Sequence, residues 1–409
     1  MTASTALAVH RGRWTLADRA GEFYRLLPVE VPPGTDALTV TLDYDRSSGV
    51  LDLGCFGPAG FRGWSGGARE TFTVAATHAT PGYLPGPPEP GVWHVCLGLH
   101  RVPRDGMPYE VRVQAGPATA PPPSGAPPVP EHRPRRELPA EPGLTWLAGD
   151  LHSHTVHSDG ALTVDELAGL AVAGGLDFLA VTDHNTISHH AELPAAAQRA
   201  GVLLLPGQEI TRDAGHANAF GDIGWIDFRR PADDWLDETE RRGGLLSINH
   251  PLAADCAWRL PMRRRPRFAE LWHWSWLDRR WGGPLAWWLA WDPTVLPLGG
   301  SDYHTPVHGR PLGAPTTWVA AADPDAPDAV VAAMTAGRIA ISAGRDAPVL
   351  LRIGSGTDGE LVVVDGDGTY LVDPEGGRRV VLGDRCTFPA RPGPHRLEAA
   401  DNTVVALVA

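Results

Sequence analysis

The chain has 409 residues, of which 43% are hydrophobic and 20% charged, so it is long enough for two or three domains with buried cores. Its formal net charge of -13 argues against a broad nucleic-acid-binding surface but leaves room for a small anionic substrate. No segment approaches the roughly 18 apolar residues of a membrane span, and the first residues do not resemble a signal peptide. We therefore expect a cytoplasmic protein with no membrane association.

The first part of the chain, residues 1–116, alternates short β-rich runs with Gly- and Pro-containing turns, as at 37–44 and 91–99. Strands at this spacing are typical of a β-sandwich, which we expect to hold no metal and to carry no chemistry. Residues 117–142 follow as a Pro-rich, semi-rigid linker. The sequence thus predicts a separate N-terminal β-sandwich domain.

Beyond the linker, residues 143–345 alternate strand-like apolar runs with helix-like segments, and the first run leads into His152 and His154. Alternate residues of a strand point to the same side, so these two imidazoles can bind one metal ion together. Asp159 lies a short turn later and offers a carboxylate ligand. A lone His-x-His pair is explained equally well by packing, so the interpretation depends on whether the pattern recurs.

The pattern recurs, because five further apolar runs adjoin residues of metal-ligand type. These residues are His184, Glu209, His216, His250, Asp302 and His304. Successive strands that end in such side chains are typical of a β/α barrel, whose site lies at the carboxyl ends of its strands. Any one of these histidines is readily explained as a capping or core residue, but the whole set indicates a functional site.

The segment 258–291 is unusually rich in tryptophan. Trp274 and Trp276 alternate with His273 and Ser275 in a strand-like pattern, and we predict that Trp274 contacts the substrate. An indole near the mouth of a barrel could stack on a base, a sugar or an arene ring, and packing is the alternative.

The last part of the chain, residues 346–409, contains four β-like runs. They predict a small β-domain, or a β-extension packed on the preceding part. Together with the alternating strands and helices of residues 143–345, they make the chain an α/β protein with β-rich parts at both ends.

The ordered motifs of residues 145–350 resemble those of a known family. The blocks HxH…SDG, TDHNT, GQEIT, GHANAFG, INHP and GGSDYH look like those of the polymerase-and-histidinol-phosphatase (PHP) superfamily. Residues 182–190 and 337–342 resemble in particular its carbaryl-hydrolase-like branch, the CehA/McbA type. The resemblance implies a distorted (β/α)7 barrel with two or three divalent metal ions at its mouth.

Carried over position by position, the resemblance implies three groups of metal ligands. The first ion would be held by His152, His154, Glu209 and Asp302. The second would share Glu209 as a bridging ligand and add His216 and His250. The third would be held by Asp159, His184 and His304, and Asp159 stands where some PHP members have His. Mixed imidazole and carboxylate ligation suits zinc, manganese or iron(II), and the sequence does not choose among them.

For the chemistry we expect a hydroxide that bridges two metal ions to act as the nucleophile, with Glu209 and Asp302 as the catalytic carboxylates that hold those ions. His190 is our candidate for the acid that protonates the leaving group, and a place on a helix surface is the alternative. Substrate contacts are expected from His157, His189, Arg310, Arg338 and Trp274. The two arginines are chosen because a guanidinium binds phosphate or carboxylate with two parallel hydrogen bonds, and an ordinary surface position is the alternative for each.

Two function classes remain open. We favour a metal-dependent phosphoesterase that acts on a small phosphate ester, a nucleotide or an oligonucleotide end, because several cations offset the charge of a phosphoryl group. The alternative is a carboxylic or carbamic ester hydrolase of the carbaryl-hydrolase type. The expected partner is a small phosphorylated molecule, with no stable nucleic-acid complex, and the oligomeric state stays open.

Overall fold

The computed structural model describes residues 4–118, 125–274, 283–354 and 359–409. Contacts between Cα atoms divide the chain into two compact units. The first unit consists of Met1–Ala126, Thr155–Ala161 and Asp183–Ala191, and the second of Pro127–His154, Leu162–Thr182 and Glu192–Ala409. Two short segments from the middle of the chain thus belong with the N-terminal residues, which the sequence did not predict.

Residues 4–118 form a short helix, α1 (Leu16–Gly21), and two antiparallel four-stranded sheets, with strand orders β1-β8-β3-β6 and β2-β7-β4-β5. The strands are β1 (Thr5–Trp14), β2 (Tyr24–Val31), β3 (Ala37–Tyr44), β4 (Val50–Gly57), β5 (Gly60–Gly66), β6 (Thr71–Ala75), β7 (Gly91–Arg101) and β8 (Met107–Gly116). Inward-facing side chains of both sheets share one hydrophobic core, in which Val40 and Val111 meet Leu53 and Trp93. This arrangement is a β-sandwich, as the alternating pattern predicted.

The second unit alternates strands and helices. Its first part contains β9 (Thr145–Asp150), α2 (Val164–Gly174), β10 (Phe178–Val181), α3 (Leu193–Ala200), β11 (Leu203–Arg212), β12 (Gly215–Phe220), α4 (Ala232–Arg241), β13 (Leu245–Ile248), β14 (Phe268–Trp272), α5 (Gly283–Trp291), β15 (Leu296–Gly299), β16 (Thr316–Ala321), α6 (Pro327–Thr335) and β17 (Ile339–Ser342). The strands join in the order β15-β14-β13-β12-β11-β10-β9-β16-β17. The chain therefore has the predicted α/β character.

The pairing directions bring several strand ends to one edge of this sheet. β9, β10 and β11 are mutually parallel, and so are β13, β14 and β15. β12 is antiparallel to both β11 and β13. The four residues of β10 are all buried, as expected for a parallel strand with both faces covered. The carboxyl ends of the parallel strands are where the predicted ligand motifs lie.

Local sequence signals fix the helix between the first two of these strands. Thr163 and Glu166 form a capping box at the start of α2, and Gly175 ends the helix in the left-handed conformation with φ +75°. The helix buries Leu167 and Val172 against the sheet. At 11 residues it is the longest helix in the described part of the chain, where no helix is long and apolar enough to cross a membrane.

The C-terminal residues extend the same sheet. β24 pairs with β17, and β23, β20 and β21 follow in order, while β18, β19 and β22 form a small separate sheet. These strands are β18 (Val349–Ile353), β19 (Glu360–Val364), β20 (Tyr370–Val372), β21 (Arg378–Val380), β22 (Arg385–Pro389), β23 (His395–Glu398) and β24 (Val404–Val408). Leu350 and Leu361 share a hydrophobic core with Leu167 of α2, so the C-terminal strands pack as an extension.

Candidate metal centre

The segment that leaves β9 presents His152 and His154, both fully buried. Asp150 at the end of β9 fixes this segment, because its carboxylate accepts hydrogen bonds from the backbone N–H groups of His152 (3.1 Å), Ser301 (3.0 Å) and Gly313 (2.8 Å). Burial raises the pKa of Asp150, although these hydrogen bonds oppose the shift. Asp150 thus joins the first ligand motif to the last one.

Glu209 on β11 lies at the centre of four imidazoles and is fully buried. Oε1 lies 3.2 Å from His152 Nε2, 3.2 Å from His216 Nδ1 and 3.3 Å from His250 Nε2, and Oε2 lies 3.5 Å from His154 Nε2. The side-chain amide of Asn249 donates to Oε1 at 2.8 Å and so orients the carboxylate. One carboxylate therefore faces both imidazole pairs, as a bridging ligand would.

Asp302 completes the cluster from the end of β15. The backbone N–H of His154 donates to the carbonyl of Tyr303, which places Asp302 and His304 beside the His-x-His segment. Asp302 Oδ1 lies 3.0 Å from His154 Nε2 and 3.2 Å from His152 Nε2, and His304 Nδ1 lies 3.6 Å from the same oxygen. Asp302 has φ +50° and His250 has φ +27°, so both hold a backbone conformation that L-residues rarely adopt.

The charges of this cluster shift the pKa values of its members. Burial lowers the pKa of His152, but the charges of Glu270, Asp302 and Glu209 outweigh burial and raise it well above its usual range. Burial would raise the pKa of Asp302, but the charge of His152 and hydrogen bonds from other histidines lower it well below its usual range. The Asp302 carboxylate thus stays ionised opposite His152 in the buried cluster.

The donor set fits divalent metal ions. In overlapping groups such as His152, His154 and Glu209, or His152, His250 and Asp302, the ligand atoms lie within 4.8 Å of one another. Buried imidazoles that face buried carboxylates suit a borderline transition-metal ion. The structure therefore brings together seven of the predicted site residues in the second unit: His152, His154, Glu209, His216, His250, Asp302 and His304.

Glu270 belongs to this centre and was missed by the sequence reasoning. Its Oε1 lies 2.9 Å from His152 Nδ1, and its Oε2 accepts the backbone N–H of His250 at 3.0 Å. Cys256 Sγ approaches the other side of His250, 3.4 Å from Nδ1. A buried carboxylate in the apolar strand Phe268–Trp272 was the available signal, because an ionised Glu is rarely buried without a partner.

Asp159 and His184, the other two predicted ligands, lie together in the first unit. His184 Nε2 is 3.6 Å from Asp159 Oδ1. Asp159 is about half exposed and His184 is partly buried. The structure thus pairs these two side chains, one from each of the short segments that belong to this unit.

His157, His189 and His190 also lie in the first unit, and two of them have short contacts that the sequence did not indicate. His157 Nδ1 lies 2.7 Å from Ser188 Oγ. His189 is fully buried, with Nδ1 3.1 Å from Asp183 Oδ2. The partly buried His190 ring packs edge-on against His189 at 4.7 Å. Because His189 is fully buried, it does not lie on a helix surface.

Two of the remaining predicted substrate contacts lie next to the cluster. The indole N–H of Trp274 donates to Asp302 Oδ2 at 3.3 Å, and the Arg310 guanidinium carbon lies 3.2 Å from the centre of the indole ring. His273 Nε2 reaches the same carboxylate oxygen at 3.0 Å. An exposed cation thus stacks on an indole that contacts a cluster carboxylate. Trp276 lies outside the described residues.

Arg338, which was also predicted to bind the substrate anion, lies away from the cluster. Its Nε donates to the carbonyl of Ala320 at 2.8 Å. Ala320 pairs with Trp146 near the start of β9, whereas the ligands follow the end of β9. β16 runs antiparallel to both β9 and β17, so the start of β17 lies at the edge of the sheet opposite the ligands. There Arg338 joins the start of β17 to β16.

Comparison with known proteins identifies the central part of the chain. Residues 150–249 match the family model described as "PHP domain". The central part of the chain is therefore similar to the PHP domain. The match begins at Asp150, next to the His-x-His pair, and ends at Asn249, next to His250.

Curated relatives match over short stretches. A 5'-3' exoribonuclease of Haemophilus influenzae is 44% identical over 62 residues, which are 15% of this chain and 23% of the relative. A 3',5'-nucleoside bisphosphate phosphatase of Chromobacterium violaceum is 45% identical over 62 residues, 15% of this chain and 22% of the relative. The chain thus spans about a quarter of the length of these relatives.

Solved structures overlap more of the chain at lower identity. A Bacteroides vulgatus structure, described as a "two-domain protein containing predicted PHP-like metal-dependent phosphoesterase", covers 68% of this chain and 91% of its own, at 18% identity and a TM-score of 0.41. A "putative metal-dependent phosphoesterase" of Bifidobacterium adolescentis covers 40% of this chain and 90% of its own, at 18% identity and a TM-score of 0.33.

Proposed function

We propose that the protein is a metal-dependent phosphoesterase that hydrolyses a small phosphate ester, a nucleotide or an oligonucleotide end. The observation that carries this proposal is the buried cluster in which Glu209 faces four imidazoles within 3.2–3.5 Å, and Asp302 lies 3.0–3.2 Å from two of them. The ligands we propose are His152, His154, Glu209, His216, His250, Asp302 and His304, with Asp159 and His184 as a further ligand pair. Zinc, manganese and iron(II) all suit this set.

Both the bound ions and the surrounding side chains would contribute to the reaction. When bound, divalent ions supply a strong nucleophile from water near neutral pH and offset the negative charge of a phosphoryl group. Glu209 lies between the two imidazole pairs and would fix the spacing of two ions. Arg310, which stacks on Trp274 beside Asp302, would bind the non-reacting part of the anion. His190 as the acid for the leaving group stays a prediction from the sequence.

We also infer that the strands around this cluster close into the distorted (β/α)7 barrel that the motif resemblance implies. In the strand order β15-β14-β13-β12-β11-β10-β9-β16, β15 and β16 are the first and the last strands. Nevertheless, the N–H of Gly299 donates to Thr317 Oγ1 at 2.9 Å, and this hydroxyl donates to the carbonyl of Gly299 at 2.7 Å. These hydrogen bonds join β15 directly to β16 and so support closure of the strands between them.

The matched relatives support a phosphorylated nucleotide as the substrate class. One is named an exoribonuclease and another a nucleoside bisphosphate phosphatase, and both names describe action on phosphate esters of nucleotides. The net charge of -13 favours a small substrate over a long nucleic acid, because an acidic surface repels a polyanion.

An ester or carbamate hydrolase of the carbaryl-hydrolase (CehA/McbA) type is the second candidate. The exposed indole of Trp274 beside Asp302 favours it, since an indole can stack on an aryl leaving group.

A substrate panel separates these functions. The purified protein, loaded with Mn²⁺ or Zn²⁺, would be assayed on a nucleoside 3',5'-bisphosphate, a 5'-phosphorylated oligonucleotide, p-nitrophenyl phosphate, an aryl carbamate and an aryl acetate. We expect turnover of phosphate esters that is lost on chelation and in Asp302→Asn. Ready cleavage of the carbamate or acetate, with every phosphate ester left intact, would refute the phosphoesterase proposal and favour the second candidate.

A further inference from the structure

Two loops carry Asp159 and His184, and both belong to the same compact unit as the N-terminal β-sandwich. We define the first loop as Thr155–Ala161 and the second loop as Asp183–Ala191. Neither loop contains a β-strand. Backbone hydrogen bonds within each loop, such as Ser158 N–H to the Thr155 carbonyl and His190 N–H to the Ile187 carbonyl, are few. Side chains and neighbouring elements of the unit add further bonds that fix their conformation.

Arg69, between β5 and β6 of the sandwich, holds the first loop. Its Nη1 donates to the carbonyl of Ser158 at 3.0 Å, and its Nη2 donates to the carbonyl of Val156. These carbonyls flank His157, and that of Ser158 directly precedes Asp159. Burial lowers the pKa of Arg69, while the charges of Asp183 and Asp159 oppose this shift. One partly buried guanidinium thus fixes the backbone next to a proposed ligand.

Gly82 holds the second loop. Its N–H donates to Ser188 Oγ at 3.0 Å, and its carbonyl accepts Thr186 Oγ1 at 2.8 Å. Gly82 has φ +98°, and a Cβ atom at this position would lie 2.7 Å from the carbonyl oxygen of Trp64 and 2.8 Å from that of His157. The close approach of this backbone to both loops therefore requires glycine.

Asp183 links the two loops to each other. Its buried carboxylate accepts hydrogen bonds from the N–H of Thr155 at 2.8 Å, the hydroxyl of Thr155 at 2.6 Å and the hydroxyl of Ser158 at 2.6 Å. Asp183 directly precedes His184, and Ser158 directly precedes Asp159. A displacement of either loop would therefore move both members of the Asp159–His184 pair.

We propose that the β-sandwich has a role in metal binding, in which Arg69 and Gly82 are positioning residues for the Asp159–His184 pair. This inference rests on the proposed function. It opposes our expectation from the sequence that residues 1–116 have no part in metal binding. The sandwich would set how tightly one ion is held, because outer contacts that orient a ligand change metal affinity by about 10- to 100-fold.

The test compares Arg69→Met in the full chain with Arg46→Met. Arg46 is a matched control, because it also donates to a backbone carbonyl, that of Gly67 at 2.6 Å, but within the sandwich. Mn²⁺ affinity and stoichiometry would be measured by titration, and hydrogen exchange would be followed by mass spectrometry in the metal-free protein. In Arg69→Met we expect faster exchange in both loops and at least tenfold weaker binding of one ion.

Two milder variants guard against a failure of Arg69→Met to fold. Arg69→Lys keeps a donor and should recover part of the lost affinity. Ser188→Ala removes the acceptor of the Gly82 N–H, without a change of charge, and should loosen the second loop and weaken the same ion.

The outcomes separate this inference from the proposed function. Wild-type protein that binds neither Mn²⁺ nor Zn²⁺ would refute the proposed function, and the positioning role with it. If the wild-type protein binds metal, unchanged loop exchange in Arg69→Met would refute the positioning role alone. Unchanged Mn²⁺ affinity in a variant whose loops exchange faster would also refute the positioning role.

Discussion

Replacement of Glu270 should weaken metal binding although Glu270 is not a proposed ligand. Its carboxylate lies 2.9 Å from His152 Nδ1, which would leave Nε2 for the metal, and it also accepts the His250 N–H at 3.0 Å. Loss of a hydrogen bond to a charged group costs about 1.5–3 kcal/mol. At about 1.4 kcal/mol per tenfold change, Glu270→Met should weaken the affinity by about 10- to 100-fold.

Glu270→Gln should have an intermediate effect. One amide oxygen can accept from His152 or from the His250 N–H, but the amide NH₂ cannot accept from the other. Affinity would be measured by competition with a chelator for Mn²⁺, and the fold would be checked by circular dichroism.

A buried carboxylate far from the centre provides the control for this experiment. Glu398 pairs with Arg378 at 2.8 Å and with Arg396 at 2.7 Å in the C-terminal strands. Glu398→Met should lower the stability without a change in metal affinity. If folded Glu270→Met binds Mn²⁺ as tightly as the wild type, or no more weakly than Glu398→Met, the orienting role of Glu270 is refuted.

Three further predictions concern the same centre. Glu209→Gln should lower both metal occupancy and kcat/KM, because its carboxylate faces both imidazole pairs. The loss should exceed the effect of about 100-fold expected for a residue that only orients a ligand. Full metal occupancy by elemental analysis would contradict this prediction. Arg310→Ala should raise KM for a phosphate ester about tenfold with little change in kcat, whereas Arg338→Ala should leave KM unchanged; equal effects in steady-state kinetics would contradict the placement of Arg310. The pKa of His152 is raised in the metal-free protein, so metal binding at pH 7 should release protons and strengthen as pH rises. The metal-free protein should lose stability as pH rises through that pKa. Calorimetry in two buffers measures the proton release and melting curves measure the stability, and a metal affinity that falls with rising pH would contradict the prediction.

The residue types of the cluster could be predicted from the sequence, because each adjoins a short apolar run. A parallel strand buried on both faces reads as a continuous apolar run, and the first polar residues after it lie at one edge of the sheet. His152, His154, Glu209 and Asp302 satisfy this rule, and the structure brings them together.

The role of Glu270 and the position of Arg338 could not be predicted in the same way. Glu270 lies within an apolar strand, and its partners come from β9 and β13, so its role depends on which strands are neighbours. The motif that contains Arg338 also does not tell which edge of the sheet this residue faces. That edge follows from the antiparallel pairing of β16 with β9.

The sequence by itself determined the alternating strand and helix pattern, the β-sandwich and the ligand types, since these depend on local periodicity and on residue chemistry. Only the tertiary structure decided how the chain divides. The loops with Asp159 and His184 belong with the sandwich because Arg69 and Gly82 bond to their backbone and side-chain groups. Such bonds join residues far apart in sequence, so no local pattern records them.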